Sequence, residues 1–187
     1  NMSKVAILIP TLNRPEFLVR QIKYYIYAKN NNSIYIADSS DAENYEKANR
    51  EIKLLKNDFL IEHMHCPERN FSQSMELLGT KPKEKYCVYN ADDDFLIPKS
   101  IDKCVDFLEN NSDYVMAQGI GVLMSLKDKY SPYGEFSYVG EYSAGKYRKS
   151  IAEDAKNRIL DFAKLYWVTE PSVHKTENFL KICKASS

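Results

Sequence analysis

The chain has 187 residues, enough for one domain with a sizeable core, and its 44% hydrophobic and 28% charged residues are those of an ordinary globular protein. Lysine plus arginine equals aspartate plus glutamate at 26 each, which excludes a general attraction to nucleic acid or anionic membrane and leaves only local charge to matter. No apolar run approaches the ~20 residues that span a bilayer, and the short run after Lys4 has neither the length nor the cleavage site of a signal peptide.

Val5–Pro10 reads as a buried strand closed by proline, and Pro15–Ala28 as a helix with Phe17, Leu18, Ile22, Tyr25 and Ile26 at helical spacing. Ile34–Ala37 is a second strand. It stops at Asp38-Ser39-Ser40-Asp41, which can cap a helix running through Tyr45, Ala48, Ile52 and Leu55. Phe59–His63 is predicted as a third strand, Phe71–Leu78 as a helix, Tyr86–Tyr89 as a fourth strand and Pro98–Leu108 as a helix. Beyond Asp113 the pattern changes to strands at Tyr114–Ala117, Gly121–Leu126 and Phe136–Val139, then a helix over Arg148–Leu165. Ser172–His174 and Glu177–Cys183 close the chain. The scattered Cys66, Cys87, Cys104 and Cys183 form no CxxC pair, which favours a reduced, cytosolic protein.

Strand and helix alternate about four times, which predicts an α/β fold with an open, mostly parallel sheet flanked by helices. Such sheets bind ligands at the carboxyl ends of their strands. Functional residues are therefore expected just after Pro10, after Ala37, near Asn70 and after Tyr89. We expect a single domain over residues 2–187, with halves at 4–110 and 111–187.

The strongest local signal is Asn90-Ala91-Asp92-Asp93-Asp94-Phe95, directly after a strand. Three consecutive carboxylates repel one another, and at least one pKa rises unless a cation compensates. Mg²⁺ or Mn²⁺ would do so, since both favour carboxylate oxygens and share their shell with phosphates; a solvated acidic turn before Pro98 is the alternative. The turn Ile9-Pro10-Thr11-Leu12-Asn13-Arg14-Pro15 offers hydrogen bonds from Thr11 and Asn13, a cationic fork from Arg14 and a helix N-terminus behind it. A plain turn with Asn13 as helix cap is its alternative. The segment contains no glycine, so GxGxxG and Walker-type phosphate loops are excluded. Asp38 can accept from a base N–H or a ribose hydroxyl, or else cap the next helix. If it reads a base, its removal should leave the fold intact. His63 and His65 share a strand face in a soft-metal-like pair, but strand alternation alone reads them as packing.

Taken together, residues 5–18 (VAILIPTLNRPEFL), 36–40 (IADSS) and 90–98 (NADDDFLIP) resemble the family 2 glycosyltransferases of GT-A fold. The resemblance covers about residues 4–110. It implies a nucleotide-diphospho-sugar donor bound across the strand ends by residues 4–110, with 111–187 as an acceptor-side half that ends at Ser187 before any match to the family's base. By that analogy Pro10, Thr11, Asn13 and Arg14 line the nucleotide pocket, Asp38 contacts the base, and Asn70 lies beside the nucleotide, a helix cap being the alternative for Asn70. Asp92, Asp93 and Asp94 hold ribose and a Mn²⁺ or Mg²⁺ ion. The family's usual Asp-x-Asp-Asp has an aspartate where Ala91 stands, so Asp94 and Asp93 come first as metal ligands. His174 or Lys175 could neutralise the leaving diphosphate, although an exposed strand end is the reading their position favours. For the catalytic base the nearby carboxylates are Glu153, Asp154 and Glu170.

The implied reaction is metal-assisted, inverting transfer of a sugar to an acceptor hydroxyl on a carbohydrate or glycoconjugate. No nucleic-acid partner and no transmembrane segment are expected; peripheral contact with the inner face of a membrane stays open. A nucleotidyltransferase of related fold would need a glycine-rich basic loop that Pro10–Pro15 lacks. A non-catalytic nucleotide-sugar-binding module would use the same pocket without the base. A phosphatase-like hydrolase would want an aspartate where Pro10 and Thr11 stand.

Overall fold

Val5–Thr11 (β1) is apolar up to its last residue, and an apolar strand is stable only when both of its faces are covered. The computed structural model describes residues 4–141, 150–164, 169 and 171–185. In it, β1 lies inside a six-stranded sheet, paired in parallel with Ser33–Asp38 (β2) on one side and Tyr86–Tyr89 (β4) on the other. Ile61–His65 (β3) extends the parallel run beyond β2, and Val173–Lys175 (β8) and Met116–Ala117 (β5) complete the order β3-β2-β1-β4-β8-β5. The pairings of β8 with β4 and with β5 are antiparallel.

Alternation along β1 sorts the core into two layers. Val5, Ile7 and Ile9 face a cluster built from Pro15–Tyr27 (α1), Ala42–Leu54 (α2) and Pro98–Asn110 (α4), through Leu18, Ile22, Tyr25, Ala48, Ile52, Ile101, Val105 and Leu108. Ala6 and Leu8 face the other, with Leu78 of Phe71–Thr80 (α3) and Phe179 and Cys183 of Thr176–Ala185 (α6). Helices on both faces and a mostly parallel sheet are the architecture expected from the sequence.

Three boundaries differ from expectation. The third strand starts two residues later than Phe59 because Asn57 folds back: its side-chain oxygen accepts from the Phe59 N–H, holding 57–59 in a turn. That shift puts His65 inside the strand and His63 at its centre, opposite Ile36. The strand expected at Tyr114 begins at Met116, since the Tyr114 N–H closes a turn onto Asn111. The helix expected over 148–165 runs Ala155–Lys164 (α5) in the described residues, with the Asp154 carboxylate accepting from the Asn157 N–H in a capping geometry.

The chain divides into two compact units, residues 1–119 with 170–187, and Ile120–Thr169. Residues from beyond 110 build part of the first unit: β5 and β8 lie in its sheet, and α6 packs on the β1 face that carries Ala6 and Leu8. The second unit contains the antiparallel hairpin of Val122–Leu126 (β6) and Phe136–Glu141 (β7), with a bulge between Ser125 and Leu126, followed by α5. Among the described residues no helix is long and apolar enough to cross a membrane.

Candidate functional site

The chain runs from β1 outward through β2 to β3, then returns to the opposite flank of β1 for β4. The order therefore reverses between β1 and β4, and the loops leaving their carboxyl ends diverge there to leave a crevice. Pro10 marks the divergence. Pairing with β4 ends at Leu8↔Tyr89, so the residue without an N–H falls just past the ladder.

The two turns flanking this point are joined by the residues singled out in the sequence. The Thr11 hydroxyl donates to Asp92 Oδ2 at 2.7 Å. Arg14 forks across two carboxylates, with Nη1 at 2.8 Å from Asp92 Oδ1 and Nη2 at 3.0 Å from Asp93 Oδ2. The Phe17 ring lies 4.3 Å below its guanidinium carbon. Asp92 is buried, and burial pushes its carboxyl above the ordinary range even though Thr11 and Arg14 favour the charged form.

The acidic loop is held from beneath by α1. Gln21, fully buried, donates its amide to the carbonyls of Ala91 at 2.6 Å and Asp94 at 2.7 Å. Asn90 bonds the Tyr25 hydroxyl at 3.0 Å, and Tyr24 donates to the Leu96 carbonyl at 3.2 Å. Arg20 lies 4.9 Å from both the Phe17 and Phe95 rings and donates to the Asp93 carbonyl. None of Gln21, Tyr24, Tyr25 or Arg20 is a site residue in the sequence reading. The available signal was Gln21 itself, a polar side chain on the Leu18–Ile22–Tyr25 face that packs inward.

Asn13 adopts a left-handed backbone, φ 52°, which asparagine tolerates. It is not the cap of α1, a position Arg14 occupies without a side-chain bond. Instead it stitches two turns together: its N–H donates to Ser40 Oγ at 2.7 Å and its side-chain oxygen accepts from the Asp41 N–H at 3.0 Å. Asp38 is almost wholly buried, with Oδ1 accepting from the Ser40 N–H at 2.9 Å and Oδ2 bonded to His63 Nε2 at 2.8 Å. Burial raises its pKa, but the His63 and Ser40 hydrogen bonds outweigh that and hold the carboxyl below its ordinary value. The Tyr45 ring packs 4.7 Å from His63 and stacks on His65 at 4.1 Å. His63 is thus Asp38's partner as well as a packing residue.

Asn70 caps α3 in a reciprocal box with Gln73, its side-chain oxygen accepting from the Gln73 N–H at 3.0 Å. His174 sits within the interior strand β8, where burial pushes its pKa down to about 4. Neutral in this buried setting, it would have to take up a proton before it could offset the charge of a diphosphate. Lys175 donates to the Ser112 carbonyl at 2.8 Å. Of the base candidates, Glu153 and Asp154 belong to the second unit, and Glu170 lies outside the described residues. The Asn157 backbone N–H holds Asp154 below its ordinary value, which weakens it as a base. Among the described residues no three His, Cys, Asp or Glu side chains converge as a ready-made metal cage.

No protein-family model and no curated protein matches the chain. Solved structures do. TarS of S. aureus, residues 1–349, superposes with a TM-score of 0.51 at 11% identity, over 92% of this chain and 47% of that one. The same protein in complex with UDP-GlcNAc gives 0.54 at 11% identity, over 92% and 45%. The synthetase of CMP:2-keto-3-deoxy-manno-octonic acid, complexed with CTP, gives 0.51 at 8% identity, over 97% and 78%. The chain spans about half the length of the TarS structures it matches. Its fold is the one these structures share, an open α/β sheet of GT-A-like type.

Proposed function

We propose that this chain binds a nucleotide-diphospho-sugar and serves as the donor side of a metal-dependent glycosyltransferase, moving the sugar to an acceptor hydroxyl with inversion. The observation that carries the reading is the meeting of Thr11 and Arg14 with Asp92 and Asp93 at the point where strand order reverses. A nucleoside diphosphate needs what that crevice offers: hydrogen-bond donors, a cationic fork and hard oxygen ligands for a counter-cation. The likeness to TarS bound to UDP-GlcNAc supports a UDP-sugar as the first donor to test.

The donor set fits a hard divalent cation. Mg²⁺ in particular is bound through one or two carboxylates plus substrate phosphates, so no preformed cage is required. Asp93 and Asp94, with Asp92 behind them, would hold the ion, which when bound stabilises the charge on the departing diphosphate. The protein's own part is positional. Gln21, Asn90 and Tyr25 fix the acidic loop, and Thr11 keeps Asp92 oriented. Asp38, buried and bonded to Ser40 and His63, would hold in place the turn after β2 beside the base or ribose. A carboxylate from outside this cluster would take the acceptor's proton.

A nucleotidyltransferase is the second reading, favoured by the likeness to the CTP-bound synthetase. The glycine-free turn at 10–15 weighs against it, since backbone amides cannot close on a triphosphate there without glycine. Thermal unfolding in UDP, UDP-GlcNAc and CTP, each with Mn²⁺ or with EDTA, separates the readings. UDP at ~100 times its dissociation constant should stabilise the protein by about 2.7 kcal/mol with Mn²⁺ and much less in EDTA. Equal shifts with and without metal would remove the cation from the proposal, and preferential stabilisation by CTP would favour the rival.

A further inference from the structure

We infer that Arg14 is the resident counter-cation of the acidic cluster, and that it exchanges its carboxylate partners for phosphate oxygens when a divalent cation and a nucleoside diphosphate enter. The inference rests on the nucleotide-sugar reading above and extends it to the order of events at the site.

Asp92, Asp93 and Asp94 were expected to need a metal to relieve their repulsion. In the protein itself a guanidinium performs that task, bridging Asp92 Oδ1 at 2.8 Å and Asp93 Oδ2 at 3.0 Å. The two bonds differ in setting. Asp92 is buried behind its Thr11 bond, whereas the side chains of Arg14 and Asp93 are 40% and 48% exposed, so the outer half of the fork can open without unpacking the core. A cation that takes Asp93 as ligand would meet a like charge in the same few ångströms and must displace it. The displaced guanidinium remains beside the Phe17 face at 4.3 Å, and a planar fork suits phosphate oxygens as well as carboxylates. Asp92 keeps its Thr11 bond throughout. Metal alone is therefore opposed by Arg14, while metal with diphosphate is favoured by it. The two ligands become mutually reinforcing through one residue, and such coupling is reciprocal.

The test measures Mn²⁺ binding by the paramagnetic resonance signal of the free ion, and UDP binding by calorimetry, in the parent chain, Arg14→Gln and Arg14→Lys. Arg14→Gln should bind Mn²⁺ alone about tenfold tighter than the parent, and UDP in the presence of Mn²⁺ about tenfold more weakly. The factor by which UDP tightens Mn²⁺ binding should fall accordingly. Arg14→Lys, which keeps a charge but cannot span both carboxylates, should lie between, and it serves alone if the glutamine variant does not fold. Unchanged or weaker Mn²⁺ affinity in the variants, or no Mn²⁺ binding to any form, overturns the exchange. If the parent binds Mn²⁺ but no nucleotide under any condition, the functional reading fails. The phosphate half of the exchange fails with it, and the Mn²⁺ comparison still decides whether Arg14 guards the carboxylates.

Discussion

Replacing Asp38 by alanine should destabilise the protein severely, a different expectation from the one its position in the sequence suggests. The carboxylate is buried and accepts from the Ser40 N–H at 2.9 Å and bonds His63 Nε2 at 2.8 Å. Hydrogen bonds to a charged group contribute roughly 1.5–3 kcal/mol each, so the two together are about 3–6 kcal/mol. The loss leaves the buried Ser40 without that acceptor. It also leaves both ring nitrogens of His63 unpaired, since Nδ1 already has no partner. Against a typical domain stability of about 5–15 kcal/mol this is a large share. Asp38→Asn keeps an acceptor for Ser40 and should cost much less. The pH dependence has a defined sign. Because the folded-state pKa is lowered, the ionised carboxylate's contribution is complete above the unfolded value near 3.8 and is lost as pH falls through the folded value. The gap between parent and Asp38→Ala should therefore narrow as pH falls below 3.8. Urea unfolding at pH 7 and at pH 3 measures both, and a double-mutant cycle with His63→Leu isolates the shared bond at about 1.5–3 kcal/mol. A loss below about 1 kcal/mol at pH 7 would refute the reasoning. Asp38 would then be a ligand contact with no structural part.

Gln21→Leu removes the donor shared by the Ala91 and Asp94 carbonyls, and it should loosen residues 90–96. Faster amide exchange in that loop and a several-fold loss of UDP affinity are expected, with unchanged exchange in β1 as the control. Asn70→Ala breaks the box that opens α3 and should cost about 1 kcal/mol in a thermal or urea melt; an unchanged melt would show that the cap contributes nothing.

How much of this was legible depended on the range of the interaction. The parallel half was readable because β1, β2 and β4 are apolar runs bounded by proline, aspartate and asparagine, and such runs state their own burial. The strand-end rule then located Thr11, Asp38 and Asp92–Asp94 without any contact being known. Their partners were not readable. Arg14 and Asp93 are 79 residues apart, Asp38 and His63 are 25, and nothing local says that one compensates the other. The acidic triplet announced a need for positive charge but not its source.

The same blindness applies to His174, and it supplies a test. As the middle residue of a three-residue strand it looked like an exposed strand end, because neither neighbour that buries it is near in sequence. Antiparallel pairing puts it opposite Cys87 and Met116, with Phe179 packed 5.5 Å away. Burial lowers its pKa from 6.5 to about 4. Between those values the unfolded chain binds a proton that the folded chain refuses, so stability falls as pH drops below 6.5 and levels off below about 4. At pH 5 the shortfall is roughly 2 kcal/mol, from about 1.5 pH units at 1.36 kcal/mol each. His174→Leu removes the titration. Its urea midpoint should fall less than the parent's between pH 7 and pH 5, while UDP affinity at pH 7 stays at the parent value. A variant with the parent's pH slope would show that His174 takes up its proton in the folded state. It would then titrate near the ordinary 6.5, and protonation beside a bound diphosphate would reopen as its role.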